Sequence, residues 1–203
     1  MTKQNNISQI YEALINRVGK IVKKEEIERI IIEFNKSFRE SLDAESIIKY
    51  LSRHNYIKRI FLSFYYINLA DERKRKYCKF EDRELLFLVL NKLNIKWYLG
   101  LSSALYESGK VWQAPAIVNI INNKFSGKRK ILGFDVKFYK MKDNLFFAIE
   151  SQKTKNNIEY FYSEPSKTYI DLVYLHISNK LVKDENTQKY LKRFPKWVEK
   201  RLI

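Results

Sequence analysis

The chain has 203 residues, 45% hydrophobic and 15% aromatic, which is enough for a buried core and excludes wholesale disorder. Its 39 Lys and Arg against 23 Asp and Glu give a formal net charge of +16, so the first candidate partner is a nucleic acid. The alternative is that the Lys-rich composition reflects an AT-rich genome. The single cysteine, Cys78, excludes an intramolecular disulfide and a cysteine-based zinc site.

A chain of this length forms one large domain or two small ones. No run approaches the roughly 18 apolar residues that a membrane-spanning helix needs, and residues 1–6 carry no apolar signal core. We therefore expect a cytoplasmic protein without a membrane partner.

The first 70 residues follow the order helix, helix, helix and two short strands. Apolar residues recur at helical spacing in residues 7–17 and 25–34, and Asp43 is placed to cap a third helix. Two runs rich in β-branched and aromatic residues, 56–60 and 64–68, predict a hairpin. This order is typical of a winged helix-turn-helix, whose third helix enters the major groove. The alternative is a small helical bundle with a solvated basic face.

Positive charge concentrates from the predicted third helix, residues 43–53, onward. Residues 49–79 hold nine basic and two acidic side chains, whereas residues 1–48 hold eight of each. Basic side chains that contact phosphates supply much of the affinity for DNA. The expected DNA-binding residues are Ser46, Lys49, Arg53, His54, Lys58, Arg59, Arg73, Lys74, Arg75 and Lys76.

The charged residues 71–80 lack apolar periodicity and are predicted to be a basic linker, either solvated or laid along DNA phosphates. The predicted fold class is therefore α+β. It combines a winged helix-turn-helix domain over residues 1–70 with a mixed α/β domain over residues 81–203.

The second domain is predicted to open with an apolar helix over residues 81–93. Four strand-like runs follow, at residues 116–121, 131–139, 145–149 and 158–161. The basic residues 128–130 are expected on a loop between strands. His176 is expected to be buried in an apolar helix, and a basic amphipathic helix is predicted over residues 188–202.

Two segments of this domain, residues 98–113 and 163–175, carry a resemblance to a known family. The first is a Gly- and Ser-rich helix start that ends in a Gly and precedes a strand. The second is a polar turn with a Pro, followed by a helix that contains an Asp. The matched positions are Gly100, Ser102, Ser103, Gly109, Gln113, Pro165, Thr168 and Asp171. In this order, behind a basic helical region, the segments resemble the AbiEi family of type IV antitoxins.

The resemblance implies a transcriptional repressor that binds inverted repeats in double-stranded DNA of its own toxin–antitoxin operon. It also implies that the second domain counteracts a nucleotidyltransferase-type toxin without forming a stable complex. The chain would be a monomer in solution or a weak dimer on DNA. Since the toxin carries the chemistry, no catalytic residue, metal or cofactor is expected here.

The sequence leaves other interpretations of these residues open. Small residues such as Gly100 also allow a helix to pack closely on a sheet, and their spacing is not that of a phosphate-binding loop. Asp135 and Glu150 could serve a metal-dependent nuclease, although a Glu-x-x-Lys spacing turns Lys153 to the opposite face of a strand. An RNA-binding protein that uses exposed Tyr and Lys residues is a further alternative.

Overall fold

Residues 3–18, 20–38, 41–178 and 186–201 are described by the structure, a computed structural model. The chain divides into two units, Met1–Lys92 and Leu93–Ile203. Each unit combines helices with strands, so the expected mixture of α and β structure is confirmed. Within the described ranges, no helix is both long and apolar enough to cross a membrane.

The first unit opens with three helices and a small antiparallel sheet. Its first elements are α1 (Lys3–Val18), β1 (Ile21–Lys23), α2 (Lys24–Phe38), α3 (Ala44–Arg53), β2 (Ile57–Arg59) and β3 (Phe64–Ile67). The strand order is β1-β3-β2, and β3 pairs antiparallel with both neighbours. The predicted hairpin is confirmed, and β1 extends it to three strands.

Helix α3 begins at a capping residue and buries one face. The Oδ2 atom of Asp43 accepts a hydrogen bond from the backbone N–H of Ser46 at 2.8 Å, the expected cap. Hydrogen bonds from Ser46 lower the pKa of Asp43. On the inner face, Ile47, Ile48 and Leu51 are buried in one core with apolar residues of α1, α2 and the sheet. The outer face of α3 is therefore exposed.

Residues 71–80 are not the simple linker that the charge run predicts. Helix α4 (Ala70–Arg75) forms within this stretch, and α5 (Asp82–Lys92) follows it inside the first unit. The division of the chain lies between Lys92 and Leu93. The expected boundaries at residues 70 and 81 are corrected accordingly.

A buried carboxylate explains why this charged stretch is ordered. Glu72 accepts hydrogen bonds from the Tyr66 hydroxyl at 2.6 Å and from the backbone N–H groups of Leu69 at 2.7 Å and Lys79 at 2.8 Å. Burial acts to raise the pKa of Glu72, but these hydrogen bonds outweigh it and hold the pKa below its usual value. The carboxylate thus ties both ends of α4 to strand β3.

We expect Glu72→Gln to destabilise the first unit by about 2–3 kcal/mol at neutral pH, since an amide NH₂ cannot accept the same hydrogen bonds. A carboxyl whose pKa is lowered by folding stabilises above its unfolded pKa, about 4.3, and loses that contribution as the pH falls through the folded value. The difference in the free energy of unfolding between wild type and Glu72→Gln should therefore become smaller at acid pH.

Urea unfolding followed by far-ultraviolet circular dichroism measures this effect. All three Trp residues lie beyond Lys92, so the tryptophan fluorescence transition of the second unit should stay unchanged. The control is Asp71→Asn, an exposed acid in the same helix, for which we expect a change below about 1 kcal/mol. An equal loss of unfolding free energy in Glu72→Gln at neutral and acid pH would contradict the role of the Glu72 carboxylate as a buried hydrogen-bond acceptor.

The second unit is built on a six-stranded mixed sheet. Its elements are β4 (Trp97–Leu99), α6 (Leu101–Glu107), β5 (Ile117–Asn122), β6 (Gly127–Ile131), β7 (Phe134–Lys140), β8 (Ile149–Lys153), β9 (Glu159–Ser163), α7 (Pro165–Tyr174), α8 (Thr187–Leu191) and α9 (Lys196–Lys200). The strand order is β6-β7-β5-β4-β9-β8, with β4–β9 and β5–β7 parallel. Helices α7, α8 and α9 share a core with one face of this sheet.

The basic residues 128–130 lie in strand β6 and not on the expected loop. Lys128 pairs with Lys137 and Lys130 pairs with Asp135 in the antiparallel ladder of β6 and β7. The expected single strand over residues 131–139 is divided by a tight turn at Gly133, whose φ of +93° favours glycine. β6 is an edge strand of the sheet, where charged side chains are readily solvated.

The C-terminal region also departs from the sequence prediction. The expected helix over residues 188–202 is broken into α8 and α9 before Pro195, because proline lacks the N–H that a continuous helix requires. Residue 202 lies outside the described residues. His176 is exposed just after α7, and its ring stacks on Trp197 at 5.0 Å. The expectation of a buried histidine was wrong.

Candidate nucleic-acid interface

A groove of about 770 Å³ lies beside α3 in the first unit. Its walls come from α3, the start of α2 and the β2–β3 hairpin. Its lining holds four basic side chains and one acidic side chain, Lys24, Lys49, Arg53, Arg59 and Glu45. Ser52 and Ser63 add hydroxyl groups, so the groove can donate several hydrogen bonds to an anionic ligand.

The exposed face of α3 presents a stripe of polar side chains, two of which, Lys49 and Arg53, line this groove. Ser46, Lys49 and Arg53 are exposed and recur at intervals of three and four residues, which places them on one side of the helix. Lys49 forms an exposed ion pair with Glu45 at 2.8 Å, which lowers the pKa of Glu45. Such exposed pairs contribute at most about 1 kcal/mol, so Lys49 can exchange Glu45 for a phosphate at little cost.

Arg53 is the side chain in this groove with the greatest freedom to bind a ligand. Its guanidinium forms no hydrogen bond or ion pair with any residue that the structure describes. Next to it, His54 ends the helix, and its exposed ring stacks on Tyr50 at 3.9 Å. The Nδ1 atom of His54 lies 2.9 Å from the Tyr50 carbonyl oxygen, which leaves Nε2 directed elsewhere.

The hairpin supplies Arg59 and the apolar tip. Arg59 donates long hydrogen bonds, 3.4 Å, from Nε and Nη2 to the carbonyl oxygen of Leu62. Leu62 is 48% exposed at a φ of +52°, whereas Phe61 is buried. The tip therefore exposes one apolar side chain beside a guanidinium.

Lys24, which was not among the expected DNA-binding residues, also lines this groove. Its backbone N–H donates to the carbonyl oxygen of Ser63 at 2.8 Å, because β1 pairs with β3 and carries the start of α2 to the hairpin tip. An ion pair with Glu28 at 3.2 Å raises the pKa of Lys24. No local pattern could have indicated this position, since it depends on strand pairing.

Other expected DNA-binding residues do not line the groove. Lys58 pairs across the sheet with Tyr66 and forms an ion pair with Asp82 of α5 at 2.6 Å. The Arg73 guanidinium lies 3.3 Å from the centroid of the Tyr56 ring, a structural stacking contact. The remaining three, Lys74, Arg75 and Lys76, are exposed on and just after α4. The expected set is therefore dispersed over two surfaces of the first unit.

The first antitoxin-like segment forms the junction between β4, α6 and β5. At Gly100, the N-cap of α6, an added Cβ would lie 2.4 Å from Ile121 Cδ1, so a larger residue would force the buried Ile121 side chain to shift. Ser103 Oγ accepts a hydrogen bond from the backbone N–H of Asn119 at 2.8 Å, and Ser102 Oγ accepts one from its side-chain amide at 2.8 Å. These small residues fasten the start of α6 to β5.

Two further positions of this segment lie beyond α6. Gly109 has a φ of +69° in the turn that ends the helix, a backbone conformation that favours glycine. Gln113 is exposed in the loop before β5. Ser102 and Gly109 are exposed as well, and Trp112, the neighbour of Gln113, is 91% exposed.

The second antitoxin-like segment begins α7 and turns its polar side chains inward. Pro165 occupies the first turn of the helix, where its missing N–H is not needed. Thr168 is buried and its hydroxyl donates to the carbonyl oxygen of Glu164 at 2.9 Å, with the Ser163 hydroxyl 2.6 Å away. Asp171 is buried one turn further along the helix.

A buried polar cluster joins the two segments. Asp171 accepts a hydrogen bond from the Tyr98 hydroxyl at 2.9 Å and forms an ion pair with Lys167. The Lys167 ammonium also donates to the Tyr98 hydroxyl at 3.0 Å and lies 5.0 Å from the centroid of the Phe194 ring. The side chains of Lys167, Asp171 and Tyr98 are fully buried.

Burial governs the titration of this cluster. Desolvation raises the pKa of Asp171 and lowers the pKa of Lys167, although the two groups attract each other. Desolvation, together with the adjacent Asp171, raises the pKa of Tyr98 well above its usual value. Lys167 was not among the residues predicted from the sequence, although its i, i+4 spacing from Asp171 places both on one helix face.

The geometry does not support the nuclease alternative. Asp135 lies on β7 and Glu150 on β8, with three strands between them, which separates the two strands by about 19 Å. Glu150 accepts a hydrogen bond from Tyr162 at 2.5 Å, which raises the pKa of Tyr162 to about 12. Among the described residues, no group of three or more His, Cys, Asp or Glu is placed to hold a metal ion.

Comparisons with known proteins bear on the fold. No protein-family model matches the sequence, and no curated protein matches it. The structure is similar to the crystal structure of the RV2827C protein from Mycobacterium tuberculosis, with a TM-score of 0.51 and 12% sequence identity. The likeness covers 97% of this chain and 74% of that chain. At this identity it shows a shared fold and nothing about function.

Proposed function

We propose that the first unit is a winged helix-turn-helix domain that binds double-stranded DNA, and that the chain is a transcriptional repressor. The observation that carries the proposal is the exposed stripe of Ser46, Lys49 and Arg53 on α3. This stripe borders a groove lined by four basic side chains. The element order α1-β1-α2-α3-β2-β3 supports it, because in winged helices the third helix is the one that reads the major groove.

In the proposed complex, α3 lies in the major groove and the basic side chains have two roles. Arg53 reaches a base edge, where a bidentate contact with guanine contributes about 1–3 kcal/mol of discrimination. Lys24 and Arg59, on the two walls of the groove, contact backbone phosphates and set the register of the helix on the duplex. Leu62 at the hairpin tip contacts the sugar edges.

We further propose that the chain is the antitoxin of a type IV toxin–antitoxin operon. The support is the resemblance of residues 98–113 and 163–175 to AbiEi-like proteins. A second support is that the Tyr98–Asp171 hydrogen bond brings the two segments into one buried cluster. In this proposal the second unit counteracts a nucleotidyltransferase-type toxin without a stable complex, and the first unit represses the operon at inverted repeats.

A mobility-shift assay with the DNA directly upstream of the gene tests the repressor proposal. We expect tight binding that survives excess random duplex and weakens at least about 10-fold in Lys49→Ala/Arg53→Ala, which removes one phosphate contact and one base contact. The matched control is Lys196→Ala/Lys200→Ala, which removes the same charge from exposed positions of α9. Binding that random duplex abolishes would contradict a sequence-specific repressor.

The antitoxin role needs a separate readout. We expect the product of the adjacent gene of the operon to arrest cell growth. Co-expression of the wild-type chain with that gene should restore growth. The Lys49→Ala/Arg53→Ala variant should restore growth as well as the wild type does, because the proposal assigns the two activities to different units. Failure of the wild-type chain to restore growth would refute the antitoxin role and leave the repressor role standing.

A further inference from the structure

Trp112 is 91% exposed in the loop that connects α6 to β5. The other two tryptophans of the chain are 5% and 37% exposed. The loop is anchored where it leaves α6, because the backbone N–H groups of Lys110 and Val111 both donate to the carbonyl oxygen of Leu105, at 2.8 and 3.3 Å. An indole ring held in water on an anchored loop offers both faces for stacking with another ring.

A row of lysines lies on strands β6 and β7, next to strand β5, to which this loop leads. Lys128 of β6 pairs with Lys137 of β7, which pairs with Asn119 of β5, so the three residues lie side by side on one face. Lys130 lies in the next row, opposite Asp135. The three lysines are exposed, and only Lys128 has an acidic partner among the described residues, Asp135 at 3.3 Å.

The sheet register connects the lysine row to the tryptophan loop. Asn119, at the end of the row, donates to Ser102 of α6, the helix that leads into the loop. The loop then returns to β5 at Ile117, which pairs with Asp135 and is five residues from Trp112. Lys110, exposed two residues before Trp112, adds a positive charge on the loop itself.

The charge of the second unit indicates a polyanion as the ligand for this surface. Residues 93–203 hold 20 Lys and Arg and 10 Asp and Glu, an excess of ten positive charges. The segment 127–140, which forms the lysine row, holds five basic residues and one acidic residue. A surface that combines lysines with a stacking ring is typical of proteins that bind single-stranded nucleic acid.

We propose that the second unit binds single-stranded nucleic acid, with a base stacked on Trp112 and phosphates at Lys110, Lys128, Lys130 and Lys137. A duplex keeps its bases stacked inside, so only an unpaired base can cover the indole face. This site is independent of the operator-binding groove proposed for the first unit, and it takes a different ligand. The lysines on β6 also protect an exposed sheet edge, but edge protection does not require an exposed indole.

Fluorescence anisotropy with the full chain tests the proposal. The probes are fluorescein-labelled RNA and DNA single strands of about 12 nucleotides, a length that single-strand binding surfaces commonly cover. We expect Trp112→Ala to weaken binding by about 5- to 100-fold, since it removes one stacked base. Trp112→Phe, which retains a ring, should lose much less. Replacing the four lysines with Gln should flatten the salt dependence by about 0.7 per lost phosphate contact.

Two controls separate this site from its alternatives. Tyr77→Ala truncates an aromatic residue that is 49% exposed in the first unit and should leave single-strand binding unchanged. Lys49→Ala/Arg53→Ala should lose operator binding and keep single-strand binding, whereas Trp112→Ala should do the reverse. The two proposals can therefore fail separately.

Three results would overturn the proposal. The first is wild-type single-strand affinity in Trp112→Ala. The second is that the variant with all four lysines replaced aggregates but binds the single strands as tightly as wild type. That result would assign those lysines to protection of the sheet edge. The third is that polyglutamate displaces the labelled strand as well as unlabelled RNA does, and that Trp112→Ala abolishes this displacement by polyglutamate. That result would assign the surface to an acidic protein.

Discussion

Asp171→Ala is expected to lower the free energy of unfolding of the second unit by about 3–5 kcal/mol, because it leaves the Lys167 ammonium buried without a counter-charge. Both side chains are fully buried, and burial already lowers the pKa of Lys167 and raises that of Asp171. The measurement is urea unfolding followed by tryptophan fluorescence, which reports this unit because all three tryptophans lie within it.

The companion variant replaces both charges at once. In Lys167→Met/Asp171→Leu no buried charge remains, and we expect most of the lost stability to return. The Tyr98 hydroxyl then lacks its carboxylate acceptor, and adding Tyr98→Phe should recover about a further 1 kcal/mol or more. An exposed acid provides the control, since Asp143→Ala should cost less than about 1 kcal/mol. Equal costs for Asp171→Ala and Asp143→Ala would show that the buried pair has no special energetic role.

The buried cluster of Tyr98, Lys167 and Asp171 can confound antitoxin experiments, because its residues stabilise the fold. Tyr98 and Asp171 come from the two segments that resemble AbiEi-like proteins, and their hydrogen bond is part of the buried cluster. If a substitution at either residue abolishes protection from the toxin, the first explanation is therefore a loss of folding of the second unit. Surface positions of the same unit, such as Gln113, give a cleaner test of antitoxin contacts.

The affinity of the chain for its operator is expected to fall about 40-fold per copy between about 50 and 200 mM salt. The expected slope is about −2.7, because Lys24, Lys49 and Arg59 each neutralise one phosphate at about −0.9 per phosphate, whereas Arg53 contacts a base. Each substitution among Lys24→Gln, Lys49→Gln and Arg59→Gln should reduce the slope by about 0.9. Titration by mobility shift or anisotropy at several salt concentrations measures it.

The basic residues outside the groove supply the matched control. Lys74→Gln/Arg75→Gln removes two exposed charges from α4 without touching the groove and should leave the slope unchanged. A slope that falls equally in this variant would place DNA phosphates along α4, as the charge run in the sequence first indicated. A slope near zero in the wild-type chain would mean that the groove does not bind a polyanion.

Much of the secondary structure could be predicted because it depends on local patterns. The apolar spacing in α1 and α2, the Asp43 cap of α3 and the aromatic hairpin strands are properties of neighbouring residues, and the structure contains all of them. The polar stripe on α3 follows from the same periodicity. The winged-helix and AbiEi assignments remain predictions, since a shared fold at 12% identity does not test them.

The composition of each site could not be predicted because it depends on contacts between distant residues. Strand pairing brings Lys24 to the groove, and the ion pair with Asp82 holds Lys58 elsewhere. The buried carboxylate of Glu72 stabilises a helix in the segment that the charge run predicts to be a linker. The charge run that contains it carries no sign of this, because its hydrogen-bond donors include Tyr66 on a separate strand.

The sequence by itself determined the periodic elements, the excess of positive charge and the presence of Trp112 and Lys167. Only the tertiary structure decided that Lys167 is fully buried while Trp112 is almost fully exposed. Hydropathy predicts the opposite for an isolated lysine and an isolated tryptophan. The physical reason is that burial depends on the partners that packing provides. Lys167 has a carboxylate, a phenol and two further aromatic rings around its ammonium, and the Trp112 loop leaves its indole in water.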